Sequence, residues 1–191
     1  MSAGVDTAVR RSAIFQMQTI EGTQAAGGFR FALVVSKYHD FVTDRLQASA
    51  LAALAAAGVR PDDITVVRVP GAFEIPIAAR HAAQSGRHDA IVCLGCLIRG
   101  ATPHFEYIAS AVSHGLAHAA GATGVPMTFG VLTTNSVEEA LERAVEGPSN
   151  KGREAAAAAI EMASIVAQLA RSSTARSGAR IEKKRSTPPR A

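Results

Sequence analysis

Apolar residues along this chain fall in short blocks, and two spacings alternate between them. The blocks at 31–35, 64–69, 90–98 and 127–132 are largely apolar and rich in β-branched residues, which predicts four strands of a parallel sheet, the third of them buried. Between the blocks the spacing turns helical. Val42, Leu46, Ala50 and Leu54 recur every fourth residue, and Gly58 ends that helix. A second helix follows a turn at 70–74 and runs to Ala83, with Pro76 tolerated in its first turn. Further helices are expected from Pro103 to near Ala120, from Ser136 to Val145 and, beyond the Gly147-Pro148 break, from Asn150 to Ala170. Strand and helix thus alternate four times. Right-handed crossovers turn that order into a three-layer α/β sandwich, a four-stranded parallel sheet with helices on both faces. Residues 14–20 predict an added N-terminal edge strand, set apart by Glu21-Gly22 and Gly27-Gly28. One domain over 14–170 is then flanked by a disordered extension at 1–13 and a flexible basic tail at 171–191, since neither segment has anything to bury.

Charge changes that picture in one respect. The tail holds seven Lys or Arg against one acid, Glu182, while residues 1–170 hold thirteen against fifteen, a net of −2. The basic balance is a property of the tail. The body is not a nucleic-acid surface, and nucleic acid enters only as a weak partner of the tail. Two cysteines and no apolar leader predict a cytoplasmic chain, and no apolar run reaches membrane-spanning length, so no membrane partner is expected.

Several motif-like groupings lose their meaning once placed on elements. Cys93-x-x-Cys96 falls within a predicted strand, where side chains three apart point to opposite faces and cannot share a metal or a disulfide. His114 and His118 lie four apart on one helix, but no third ligand is evident, and no metal is expected. No phosphate-binding P-loop, dinucleotide fingerprint or G-x-S-x-G elbow is present. What converges is the set of turns after the strands, because ligands of open α/β sheets bind at the strands' carboxyl ends. Tyr38 follows the first strand, Ala72, Phe73 and Glu74 the second, and Gly100-Ala101-Thr102-Pro103-His104 the third. Singly these are an ordinary loop tyrosine, a helix-start acid and a common small-residue turn. Together they offer a flat aromatic face, a carboxylate, an anion-binding helix start and a proton carrier. That set suits a phosphorylated substrate beside a planar polar one.

The same residues carry a resemblance. Val69-Pro70-Gly71-Ala72-Phe73-Glu74-Ile75-Pro76, the run from Leu97 through Arg99-Gly100-Ala101-Thr102-Pro103-His104 to Tyr107, and Phe129-Gly130-Val131-Leu132-Thr133-Thr134 resemble the 6,7-dimethyl-8-ribityllumazine synthases. Glu142-Arg143-Ala144 and Asn150-Lys151-Gly152 extend the likeness over residues 17–170. The resemblance implies a flavodoxin-like fold. It also implies the penultimate step of riboflavin synthesis, a condensation of 5-amino-6-ribitylaminouracil with 3,4-dihydroxy-2-butanone 4-phosphate. No cofactor is implied, and the imine forms between the substrates rather than on a lysine. Tyr38 would stack on the pyrimidine, where the family usually has Phe or Trp. Ala72, Phe73 and Glu74 would line the ribityl chain, and Cys96, Leu97 and Ile98 the pyrimidine edge. Ala101, Thr102 and Arg143 would hold phosphate, His104 would carry protons, Phe129 would close over the heterocycle, and Lys151 would assist. The implied partners are further copies of the chain, in pentamers or multiples of them up to icosahedral shells, and riboflavin synthase. Lys37-Tyr38-His39 replaces a frequent Arg-Phe-Asn, and Ser149 a frequent Gly. A non-catalytic lumazine-binding relative or a shell protein is the alternative, and a retained proton carrier speaks against it. The positions also predict a division. Phe129 starts its strand and Arg143 ends the following helix, so both fall at the opposite end of the sheet from Tyr38, Glu74 and His104.

Overall fold

The computed structural model describes the backbone of residues 18–185 and the side chains of residues 18–172. Its centre is a parallel sheet in the order β2-β1-β3-β4, built from β1 (Phe31–Ser36), β2 (Ile64–Val69), β3 (Ala90–Ile98) and β4 (Met127–Thr134). The order follows from the sequence. β1, apolar up to its last residue Ser36, and β3, apolar throughout, take the two central places, where both faces are covered. Alternate residues face opposite layers. Phe31, Leu33 and Val35 join Val92, Leu94 and Cys96 beneath α1 (Asp40–Ala56) and α5 (Lys151–Arg185). Ala32 and Val34 join Ile91, Cys93 and Leu97 beneath α2 (Ile75–Gln84) and α3 (His104–Thr123). Each large side chain buried this way contributes roughly 1.5–3 kcal/mol. The short α4 (Val137–Arg143) packs Ala140 against the first of these layers. This is the expected α/β sandwich. Cys93 and Cys96 face opposite layers as the strand geometry requires.

Close approach fixes the layer made by α1 and α5. A Cβ on Gly152 would overlap the Leu46 backbone carbonyl, so only glycine lets the start of α5 lie this near α1. Several boundaries differ from expectation: β1 gains Ser36, α3 runs on to Thr123, α4 stops at Arg143 short of Val145, and two further shifts have a clear cause. β4 runs two residues past Leu132, because Thr133 and Thr134 pair with Leu97 and Ile98 despite their polarity. The last helix passes Ala170 and continues to Arg185, since the first proline after it stands at 188 and a lone glycine at 178 weakens a helix without stopping it. Residues 14–17 of the expected leading strand lie outside the described residues, and Gln18–Ile20 belong to no strand. The whole of the expected N-terminal extension, 1–13, and the end of the tail also lie outside the described residues. No helix among the described residues is long and apolar enough to cross a membrane.

Candidate active site

Three turns at the carboxyl ends of β1, β2 and β3 enclose a cleft of about 750 Å³. The first is held by its own short bonds. Ser36 Oγ accepts from the Tyr38 N–H at 3.2 Å, and Thr43 Oγ1 donates to the Ser36 carbonyl at 2.8 Å. His39 then takes a left-handed conformation (φ 60°, ψ 48°), alone among the described non-glycine residues, and its carbonyl accepts the first N–H groups of α1 from Val42 and Thr43. That bend turns Tyr38 outward, 64% exposed, with the His39 ring edge-on at 4.5 Å and Phe41 beyond it at 5.7 Å. Burial pushes the His39 imidazole below its ordinary pKa, with Asp40 pulling weakly the other way.

The second turn places a carboxylate. Ala72–Glu74 form one 3₁₀ turn ahead of α2, and the Glu74 carboxylate makes no hydrogen bond or ion pair among the described residues. A Cβ on Gly71 would stand 3.0 Å from Glu74 Oε2, so glycine there leaves the carboxylate its room. The third turn is an anion site in waiting. Arg99 donates its N–H to the Thr134 carbonyl at 2.9 Å and closes the β3–β4 ladder. Past it, the backbone N–H groups of Gly100, Ala101 and Thr102 meet no acceptor among the described residues. α3 begins at His104, directly after this turn, so the partial positive charge of the helix end lies beside these unpaired N–H groups. Cys96 also lines the cleft, but burial pushes its thiol up to about 11, which leaves no nucleophilic thiolate near neutral pH.

A second depression, of about 380 Å³, lies along β4, α4 and α5 and shares no lining residue with the cleft. Phe129 pairs with Cys93 in the ladder, three residues short of Cys96, or roughly 10 Å along the strand. It is 47% exposed on the edge strand. Arg143 and Lys151 join it because a buried asparagine ties their helices together. Asn150 Nδ2 donates to the Ala144 and Val145 carbonyls at 2.9 and 3.1 Å, while its Oδ1 accepts from Gly152 and Arg153 at 2.9 and 3.3 Å. The Arg143 Nη1–H donates to the Glu139 carbonyl at 2.8 Å, and Lys151 pairs with Glu154 at 2.7 Å.

The sequence model of the 6,7-dimethyl-8-ribityllumazine synthase family matches residues 28–167. A protein of Desulfatibacillum aliphaticivorans named 6,7-dimethyl-8-ribityllumazine synthase is 48% identical over 150 residues, covering 78% of this chain and 97% of its own. One of the same name from Nitratidesulfovibrio vulgaris is 47% identical over 156 residues, covering 82% of this chain and all of its own. The chain belongs to the 6,7-dimethyl-8-ribityllumazine synthase family.

Within this lumazine synthase family chain, the cleft brings together Tyr38, Ala72, Phe73, Glu74, Cys96, Leu97, Ile98, Thr102 and His104. It does not include Ala101, although its neighbours Gly100 and Thr102 line it. Phe129, Arg143 and Lys151 are likewise outside it, gathered in the second depression. The turn-by-turn reasoning missed six cleft residues: His39, Gly71, Phe105, Tyr107, Ile108 and Val137. Tyr107 and Ile108 carried a signal, being three and four residues after His104 and so on its face of the helix. Val137 carried none, since α4 follows a different strand.

Proposed function

We propose that this chain condenses 5-amino-6-ribitylaminouracil with 3,4-dihydroxy-2-butanone 4-phosphate, in a site completed by the β4–α4–α5 depression of a neighbouring copy. One observation carries the shared site: the residues suited to the chemistry lie on two surfaces with no residue in common. Phe129 and Arg143 serve a cleft only if the next chain in a closed ring brings them to it, which is a heterologous contact, and the pentamer is the ring we infer.

In the cleft the planar uracil stacks on Tyr38, and the Glu74 carboxylate accepts hydrogen bonds from ribityl hydroxyls. The phosphate of the second substrate sits at the 100–102 turn, where free N–H groups and the start of α3 favour an anion. Arg143 of a neighbour adds a full positive charge. The reaction then needs orientation and proton movement rather than redox chemistry. The uracil amine attacks the ketone carbonyl and the first water leaves as the imine forms. Inorganic phosphate leaves next, and the ribitylamino nitrogen closes the ring with loss of a second water. His104 stands at the edge of the turn with its imidazole without a partner among the described residues, suited to take the proton from the attacking amine and return it to the departing oxygen. The two thiols, held unpaired on opposite faces of β3, suit the reducing cytoplasm in which we place the enzyme.

The test is direct. Incubation of the oligomeric protein with both substrates should give lumazine absorbance and inorganic phosphate in equal amounts. Verified oligomer that consumes neither substrate would leave the fold with a binding role only.

A further inference from the structure

We propose that Arg99 is a positioning residue that clamps the first turn of α3, and with it His104, to the ends of β3 and β4. Its guanidinium is held on three sides. The Nε–H donates to Asn135 Oδ1 at 3.1 Å, the Nη1–H donates to Glu106 Oε1 at 2.6 Å, and the plane covers the Phe105 ring with its carbon 4.5 Å from the ring centre. Both ends of this clamp are anchored. The Arg99 backbone is the last rung of the β3–β4 ladder through its bond to Thr134. Asn135 in turn donates its N–H to Glu139 Oε2 at 2.9 Å, and Glu139 donates its own N–H to Ser136 Oγ at 3.2 Å, the N-cap of α4. Between the anchors runs the exposed turn at 100–103, whose small side chains pack on little and cannot fix its shape. His104 stands directly between that turn and the two clamped residues, Phe105 and Glu106.

The charge pattern separates this role from the obvious alternative. An arginine beside a phosphate turn looks like a phosphate ligand. Here Glu106 already neutralises it, and the fork is committed to Glu106 and Asn135. The pair is about half exposed on both sides, so its weight in overall stability is small and its effect falls on local geometry. Only a planar fork spans both acceptors while lying flat on an aromatic ring, which lysine cannot do.

The inference rests on reading His104 as the proton carrier, and the test keeps the two apart. Turnover, KM for both substrates, inhibition by inorganic phosphate and oligomer melting are measured for Arg99→Gln, Arg99→Lys, Glu106→Gln, His104→Ala and the Arg99→Gln/His104→Ala pair. Misplacing a catalytic group by an ångström costs up to about a hundredfold, so Arg99→Gln should lower kcat roughly ten- to a hundredfold. Its inhibition by phosphate and its melting temperature should stay near those of the parent, Arg99→Lys should recover only part of the rate, and Glu106→Gln should lose less than Arg99→Gln. On the His104→Ala background Arg99→Gln should add almost nothing, because a clamp has no effect once the group it holds is gone. The clamp is overturned if Arg99→Gln keeps its kcat, if its loss multiplies in full on His104→Ala, or if phosphate inhibition weakens tenfold while kcat holds. Should Arg99→Gln fail to fold, Glu106→Gln decides alone, and an unchanged kcat overturns the proposal. Undiminished turnover in His104→Ala would instead remove His104 from the mechanism, whatever the Arg99 variants do.

Discussion

The cleft at the carboxyl ends of β1–β3 and the depression along β4, α4 and α5 are two surfaces of one chain built on opposite logics. The cleft is made of turns. Its groups sit on three separate strand ends, and the backbone N–H groups of its third turn, its carboxylate and its imidazole have no partners among the described residues. The depression is made of regular elements, and its cations are already engaged, Arg143 with the Glu139 carbonyl and Lys151 with Glu154. A site left open to substrate beside a surface already satisfied within its own chain is what two halves of one interface require. One half waits for a ligand. The other is a rigid wall that can be presented to it.

The largest expected effect tests whether the halves meet. His104→Ala should lower turnover by about a hundred- to ten-thousandfold. Arg143→Ala should also be inactive, from the other surface. Unfolded together in equal amounts and reassembled, the two inactive chains should regain about a quarter of the parent rate, the random fraction of sites with an intact face from each neighbour. Mixed oligomers, verified by mass, that remain inactive would separate the two surfaces for good. Next in size is the packing beneath the wall. Gly152→Ala pushes a methyl group into the Leu46 carbonyl and should destabilise the protein by roughly 1–3 kcal/mol in urea unfolding. A parent-like midpoint would mean that α5 shifts freely against α1. Smaller again is the loss of the α4 cap. Ser136→Ala removes the acceptor for the Glu139 N–H and should cost about 1 kcal/mol in the same assay. KM for the phosphate-bearing substrate should rise while KM for the uracil holds, since α4 carries Arg143.

The smallest effect returns to the cleft. Burial lowers the folded-state pKa of His39, so the folded protein binds fewer protons than the unfolded chain as pH falls below about 6.5. Stability is therefore lost as pH drops through that window. His39→Asn keeps a residue suited to the left-handed backbone and removes the titration, so its melting temperature should decline less between pH 7 and 5.5 than the parent's. Parallel curves would show that His39 titrates alike in both states.

The sequence was most legible where one physical demand acted alone. β2 and β3 start and stop at the expected residues, because each is a short β-branched-rich run bounded by turn residues, β3 buried along its length and β2 on the sheet edge. The same holds for Tyr38, Glu74 and His104, which the carboxyl-end rule brings to one place without knowledge of any contact. Legibility failed where tertiary pairing overrode local character. Thr133 and Thr134 look like a loop and are strand because β3 pairs with them, and the tail beyond Ala170 has no apolar face yet continues as helix because nothing in it stops one. Arg143 and Lys151 became candidates only through likeness to a family. Their meeting depends on Asn150 bridging two helices, a contact that no periodicity announces.

The pairing of α1 with α5 has a bearing on how the chain comes off the ribosome. The layer over α2 and α3 can close once β3 and α3 exist, but the layer over α1 waits for α5, the last helix to be made. Roughly a hundred residues separate α1 from the start of α5, and at bacterial-to-eukaryotic synthesis rates of about 5–20 residues per second that is about 5–20 s. During that interval Phe31, Leu33, Leu46 and Leu54 are packed against one another across β1 and α1, without the Ala156, Ala159 and Ile160 side of their cluster. A nascent chain of this design is therefore half a globule with one greasy face until its final helix emerges, and the time it spends so is set by translation rather than by folding.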